Sequence, residues 1–319
     1  MGLRLLITGA TGFVGTALVN DLCASDYDVV VTSRSDAPLV SKDAELVVID
    51  SVSSGSDWGL ALKKVDVVVH CAARAHIMNE DACDPLLAFR EVNTAGTLTL
   101  ARQAANAGVR RFVFLSSIGV NGNNSLSSYT EGDSCNPQEP YAISKYEAEL
   151  GLRAIANEAN MDVVIIRPPL VYGANAPGNF GSLLCWISKG VPLPFGAINN
   201  QRSLVALDNL VSFIIHCVGH PKAANEIFLI SDNEDVSTTE LLNKVAHAFG
   251  KRALLLPVPA TWMTFAAKLL GKGDVANRLF GSLQVDSSKA QELLGWKPVI
   301  TMDEQLKKIA DAYLNEKTV

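Results

Sequence analysis

The 319-residue chain has no apolar run long enough to cross a bilayer. Its most apolar late stretch, Ala253 to Ala267, is too short and is broken by Pro257 and Pro259. A basic leader and a cleavage site are also missing, because the N-terminus enters strand-like residues within two positions. These absences point to a cytoplasmic location with no membrane span. Basic residues are in deficit, with 27 Lys and Arg against 33 Asp and Glu and a net charge of −6. With no basic block, the chain is a poor match to a DNA or RNA backbone, and no nucleic-acid partner is expected. That deficit does not exclude an anionic small ligand, since local arginines decide that. The six cysteines (Cys23, Cys71, Cys83, Cys135, Cys185 and Cys217) show neither CxxC pairing nor zinc-like spacing. They read as reduced structural thiols, and no metal site is expected. Charged residues make up only 19% against 48% hydrophobic, which excludes disorder and supplies a sizeable core. The length suits one large domain or two closely joined ones, and no repeat or low-complexity tract is present.

What is present is an alternation of short apolar runs and helical stretches. Leu3–Thr8, Val29–Thr32, Leu46–Ile49, Val65–His70, Arg111–Ser116 and Val163–Arg167 read as strands. Gly12–Ala24, Ala95–Ala107 and Tyr141–Ala156 read as helices, with Gly108 a C-cap. Strands alternating with helices predict an α/β fold of Rossmann type, a doubly wound parallel sheet with helices on both faces. From residue 172 to 200 the chain is rich in Gly, Pro and Asn and predicts loops with short helices. Thr238–Phe249, with Ser237 as N-cap, and Met302–Leu314 read as later helices. The expected division is a dinucleotide-binding domain over 1–170, to which later segments return, and a smaller mixed C-terminal substrate lobe over 171–319. The cleft between them is expected at the carboxyl ends of the strands.

The first predicted strand runs into Thr8-Gly9-Ala10-Thr11-Gly12-Phe13-Val14-Gly15. Glycines in this pattern let the chain turn off the strand, approach a pyrophosphate, and pack a helix closely on the sheet. The helix N-terminus then offers N–H groups and a partial positive charge to the phosphates. NAD sites usually carry an acidic residue at the end of the second strand, where this chain has Thr32-Ser33-Arg34. Ser33 and Arg34 suit a 2′-phosphate, so NADP(H) is preferred over NAD. Asp50, after the third strand, is placed to accept from the adenine amino group.

Tyr141-Ala142-Ile143-Ser144-Lys145 is the most informative segment. Residues four apart share a helix face, and a nearby ammonium favours a phenolate. Tyr141 is therefore a candidate acid/base near neutral pH. Upstream, Phe114-Leu115-Ser116-Ser117 ends a strand where a hydroxyl can hold a substrate oxygen. Either Ser116 or Ser117 can be that hydroxyl.

Together these segments resemble the extended short-chain dehydrogenase/reductases, the nucleotide-sugar epimerase and dehydratase group. The resemblance takes in T-G-A-T-G-F-V-G at 8–15, V-V-V-H-C-A-A at 67–73, V-N-T-A-G-T at 92–97 and F-L-S-S at 114–117. It continues through Y-A-I-S-K at 141–145, R-P-P-L-V-Y-G at 167–173 and D-S-S-K-A-Q-E-L-L-G-W-K-P at 286–298. It implies that Ser117 orients the substrate oxygen, that Tyr141 transfers the proton, and that Lys145 binds the nicotinamide ribose and tunes Tyr141. Gly9, Gly12, Phe13, Val14 and Gly15 would line the pyrophosphate. Cys71, Ala72 and Ala73 would edge the cofactor through backbone atoms, with Asn93 near it. Asn179, Arg202 and Arg278 match the places where the family holds the nucleotide diphosphate, where guanidinium forks suit a buried diphosphate. Pro194-Phe195-Gly196 is placed to pack on a uracil, and Arg74 and His76 to face the sugar or cofactor phosphate. Leu170 stands where many relatives have an asparagine, which removes a polar contact to the substrate phosphates. Ser117-Ile118-Gly119 replaces the Thr-Asp-Glu of the 4,6-dehydratases, which speaks against dehydration.

The resemblance implies an NAD(P)-dependent oxidoreductase acting on a UDP-sugar, with a homodimer possible. The preferred expectation is reduction of a UDP-4-keto-6-deoxy-N-acetylhexosamine at C4 by NADPH, with Tyr141 protonating the oxygen. Its alternative is a UDP-hexose 4-epimerase with tightly bound NAD. An alternative of another class is a catalytically silent dinucleotide sensor, although such relatives typically lose the tyrosine, the lysine or the glycines, all present here.

Overall fold

The computed structural model describes residues 2–35, 41–75, 84–125, 127–269 and 279–316. Seven parallel strands form the main sheet. These are β1 (Arg4–Thr8), β2 (Asp28–Ser33), β3 (Glu45–Val48), β4 (Val67–His70), β5 (Arg111–Leu115), β6 (Asp162–Arg167) and, after two short strands, β9 (Ile227–Leu229). Their spatial order, β3-β2-β1-β4-β5-β6-β9, reverses direction between β1 and β4. That reversal opens a crevice at the carboxyl ends of the strands, where open α/β sheets bind ligands.

The strands are nearly all apolar because both faces are covered. Side chains alternate between the faces. Leu5, Ile7, Val29, Val31, Val67 and Val69 enter one core. Leu6, Val30 and Val68 enter the other. Helices α1 (Phe13–Cys23) and α6 (Leu207–Gly219) contact each other on the first side. Helices α3 (Thr97–Asn106) and α4 (Pro140–Glu158) do so on the second. Each fully buried Leu, Ile or Val contributes roughly 1.5–3 kcal/mol, so the sheet is a rigid platform for the strand ends.

The chain beyond residue 170 feeds two places. Helix α6, strand β9 and residues Ala290, Leu294 and Trp296 complete the first sheet core. A third core gathers Tyr172, Phe180, Leu184 and Leu204 with α7 (Thr238–Ala248) and the C-terminal helix Met302–Glu316. Strands β7 (Leu170–Tyr172) and β8 (Leu204–Ala206) pair in parallel there, and α5 (Asn179–Ser188) lies between them in sequence. The stretch expected as loops with short helices thus carries one ten-residue helix, which Gly178 at φ 76° allows to start.

Before α3, helix α2 (Pro85–Phe89) and a π-helical segment, Arg90–Gly96, extend the expected helix toward its N-terminus. Gly96 is needed there, because a Cβ would lie 2.8 Å from the Val52 side chain and 2.9 Å from Ser53 N. The wider turn carries Asn93 into the interior, completely buried.

Candidate active site

At the end of β1, Gly9 takes φ +70°, and a Cβ there would stand 2.6 Å from Ala72 N and 2.8 Å from Ala72 Cα. The loops after β1 and β4 are therefore in direct backbone contact. A Cβ on Gly15 would fall 2.0 Å from Gly9 O, so this glycine lets α1 press against the turn. Gly12 caps α1 with no side-chain bond and no acidic residue in the first turn, leaving the N–H groups of that turn for a ligand. The side chains of Phe13 and Val14 pack into the cores, so any ligand contact they make is through the backbone.

A cleft of about 510 Å³ opens over this turn. Gly9, Thr11 and Gly12 form one side, and Cys71, Ala72, Ala73 and Arg74 another. Ser33, Arg34 and Asp50 line its far end, with Arg34 exposed. Trp58 also lines it, and its buried indole Nε1 has no hydrogen-bond partner. The side-chain-free cradle, the uncapped helix and the orphaned donor all fit a dinucleotide. Below the turn, His70 bridges Thr8 (Nδ1 to Oγ1, 2.7 Å) and Thr97 (Nε2 to Oγ1, 2.9 Å). Burial pushes this imidazole down to about 3, so it is a neutral structural link. Burial likewise raises the Cys71 thiol to about 12.

Helix α4 starts at Pro140, a residue pre-set for a first helical turn, and places Tyr141 at its head. Lys145, one turn on, is fully buried, and its Nζ donates to Leu115 O at 2.9 Å. The ammonium lies 4.4 Å from the Phe114 ring centroid and 6.0 Å from that of Tyr141. Burial lowers Lys145 to about 8 and raises the Tyr141 hydroxyl to about 12. The expectation that the neighbouring ammonium brings Tyr141 toward neutral pH is not met here: loss of solvent raises the hydroxyl, with the ammonium held nearer Phe114.

The two candidate serines separate. Ser116 is buried, and its hydroxyl donates to Glu149 Oε1 at 2.5 Å. Ser117 is half-buried, and among the described residues its Oγ accepts from Gly119 N at 3.1 Å with no acceptor taking its proton. A Cβ on Gly119 would lie 3.3 Å from Ala142 Cβ and 3.4 Å from Ser117 Oγ, so this turn seats Ser117 against the head of α4.

Asn93 is consumed by the protein. Its Oδ1 accepts from Arg74 N at 2.8 Å, and its Nδ2 donates to Arg74 O at 3.1 Å and Ser144 Oγ at 3.0 Å. It clamps the β4 loop, which lines the cleft, to α4.

Several residues at the site carry no sequence signal of their own. Phe89 packs edge-on against Tyr141, with ring centroids 6.1 Å apart, and carries the Arg74 guanidinium 5.6 Å from its own centroid. Behind Lys145, Glu149 receives Nε of Arg167 at 3.0 Å and Nη2 at 2.5 Å. Arg167 also donates to Asn121 Oδ1 at 2.9 Å. Only the four-residue offset of Glu149 from Lys145 hints at this buried pair.

On the substrate side, the Arg202 backbone bridges Val236 and Leu283, and its Nη1 donates to Gly281 O at 2.9 Å. Burial lowers its pKa. The Phe195 ring meets that of Phe280 at 6.2 Å. Arg278 and His76 lie outside the described residues, and only the backbone of Asn179, at the head of α5, is described.

The model of the NAD dependent epimerase/dehydratase family matches residues 5–231. The chain belongs to that family. A UDP-glucose 4-epimerase from Vibrio cholerae is 48% identical over 314 residues, covering 97% of this chain and 95% of the relative. The family fold is also seen in a crystal structure of UDP-glucose 4-epimerase with UDP-glucose from Thermotoga maritima. It has a TM-score of 0.77 and 24% identity, covering 99% of this chain and 100% of that one. UDP-glucuronic acid 4-epimerase from Bacillus cereus in complex with NAD has a TM-score of 0.79 at 20% identity, covering 98% of this chain and 99% of its own.

Proposed function

We propose that the chain interconverts the C4 epimers of a UDP-hexose, with NAD held over the Gly9–Gly15 turn. The observation that carries this is the 48% identity, over nearly the whole chain, to a UDP-glucose 4-epimerase. It reverses the preference drawn from Ser33 and Arg34 for an NADPH-dependent reductase.

When bound, NAD supplies the hydride acceptor and donor for the sugar carbon. Tyr141 exchanges the proton of the C4 hydroxyl, and Ser117, the serine with a free proton, holds the same oxygen. Lys145, with its pKa near 8, is mostly charged at neutral pH and favours the Tyr141 phenolate as it forms. Glycine-turn N–H groups bind the pyrophosphate, and Arg202, with Asn179 and Arg278, binds the UDP diphosphate. Ile118 and Gly119, after Ser117, offer no acid/base pair for eliminating water.

A second reading keeps one specific support. No carboxylate ends β2, and Ser33 and Arg34 line that end of the cleft, an arrangement suited to the 2′-phosphate of NADPH. One experiment separates the readings. The purified protein is incubated with UDP-glucose or UDP-galactose and no added nicotinamide, and the sugars are followed by NMR. Interconversion supports the epimerase. Consumption of NADPH by a UDP-4-keto-6-deoxy-N-acetylhexosamine, with no interconversion of the hexoses, overturns it in favour of the reductase. Dinucleotide binding with no turnover on either sugar leaves the sensor.

A further inference from the structure

Among the described residues fourteen large apolar side chains are exposed, and five of them fall between residues 254 and 269. Leu254 and Leu256, each 54% exposed, alternate around Leu255, which bridges to Leu193 and packs on the lobe core. Three residues on, α8 (Ala260–Leu269) presents Trp262 at 72%, Phe265 at 66% and Leu269 at 73% exposure. Their spacing of three and four puts them on one helix face. Trp186 and Val191, in the segment that leads to Leu193, are also exposed. The Leu193 N–H donates to Leu254 O, and the Leu256 N–H to Leu193 O, both at 2.8 Å. Exposed apolar side chains clustered over sixteen residues in this way mark an interaction surface.

Its charge is as distinctive as its apolarity. In a chain of net charge −6, residues 163–207 and 241–269 contain no Asp or Glu. Lys189, Lys251 and Arg252 are exposed beside the apolar side chains. Lys251 Nζ donates to Ser188 O, tying the cations of the two segments together. Exposed Trp, Phe and Leu rimmed by cations suit an acidic lipid headgroup layer, where aromatic rings settle at the interface and each cation adds attraction. A second copy is the poorer match, because a two-fold contact would set these cations against themselves.

We propose that α8 and the 254–256 segment dock this protein on an anionic phospholipid surface. At ten residues α8 is far too short to span a bilayer, so it lies in the interface plane. The proposal stands apart from the reaction, since it uses no residue placed in the cleft.

The full chain is sedimented with vesicles of phosphatidylcholine alone and of phosphatidylcholine mixed with phosphatidylglycerol. The expected result is selective pelleting with the phosphatidylglycerol vesicles that added salt reverses. The double variants Trp262→Ser/Phe265→Ser and Lys251→Glu/Arg252→Glu should each lower the bound fraction by roughly tenfold, with melting temperature and sugar turnover unchanged. Equal pelleting with both vesicle types, no pelleting, or full binding by both variants overturns the proposal. Concentration-dependent dimerisation without vesicle binding, abolished by Trp262→Ser/Phe265→Ser, also overturns it and assigns the face to a second copy.

Discussion

The sheet half, which lines the cleft, and the C-terminal lobe, which carries Asn179 and Arg202, position their residues in opposite ways. In the sheet half, function sits at strand ends held by a seven-stranded parallel ladder. Backbone does much of the work: Gly9 against Ala72, the uncapped first turn of α1, and the Leu115 carbonyl under Lys145. In the lobe, the expected contacts are long side chains on short elements, with Arg202 on an isolated bridge and Asn179 at the head of a helix. The sheet fixes its strand ends by the register of a long ladder, whereas the lobe holds Arg202 by isolated backbone bridges to Val236 and Leu283. The proposed function thus assigns the chemistry to the rigid half and sugar binding to the lobe.

The strongest test of this contrast is Tyr141→Phe. Turnover should fall by about a thousandfold, with nucleotide-sugar and dinucleotide affinity nearly kept. Calorimetric titration beside initial rates checks it, and a loss of affinity equal to the loss of rate would break the division between chemistry and binding.

Next in size is the buried pair behind the site. Glu149→Gln leaves the Arg167 guanidinium without its charge partner, and stability should drop by about 3–5 kcal/mol. Urea unfolding measures it. If the sheet half is the rigid one, a solvent-facing lobe pair such as Lys244–Asp303 should cost about 1 kcal/mol or less when broken.

Buried Lys145 gives the sheet half a pH signature. Its amine titrates near 8 in the folded chain against an ordinary 10.5, so the unfolded chain binds more protons between those values. Stability should therefore rise with pH from about 8 toward 10.5, by on the order of 3 kcal/mol in full. Tyr141 has the opposite sign, since its hydroxyl stays protonated to about 12 against 10.0, and stability should fall as pH climbs through that range. Urea midpoints should rise from about pH 7 to 9 for the parent and stay flat over that range for Lys145→Met, while above about pH 9 the buried Cys71 and Cys217 thiols, held protonated in the fold, lower the stability of both.

Two smaller effects sharpen the comparison. Arg34→Ala should weaken NADPH binding by roughly tenfold and leave NADH alone, and equal changes for both would remove the 2′-phosphate reading. Ser237→Ala removes the capping box of α7 in the lobe, in which Ser237 Oγ accepts from Glu240 N at 3.1 Å. It should cost about 1 kcal/mol by thermal melting with no change in turnover.

The same contrast explains what could be read from the sequence. The strands, the glycine turn and the α4 pair were legible because each rests on local chemistry: apolar runs, glycine freedom, and a four-residue helical offset. Ser237 before α7 was legible for the same reason. Phe89, Trp58 and Arg167 were not: Phe89 meets Tyr141 from 52 residues away, Arg167 meets Glu149 and Asn121 from 18 and 46, and Trp58 matters by where it lines the cleft. Glu149 looked like an ordinary helix residue until Ser116 and Arg167 were seen to close on it. The pKa of Tyr141 was misjudged for a related reason: helical spacing shows that an ammonium is near, but not how much water both groups lose. The π-helical segment escaped because it is set by what Asn93 must reach.

The account turns on Tyr141 serving a C4 carbon whose own hydrogen never leaves the site. UDP-galactose carrying deuterium at C4 tests this most directly, with the purified protein and no added reductant. The account predicts UDP-glucose that keeps the deuterium at C4. A product with protium at C4, or no product until NADPH is supplied, would contradict it.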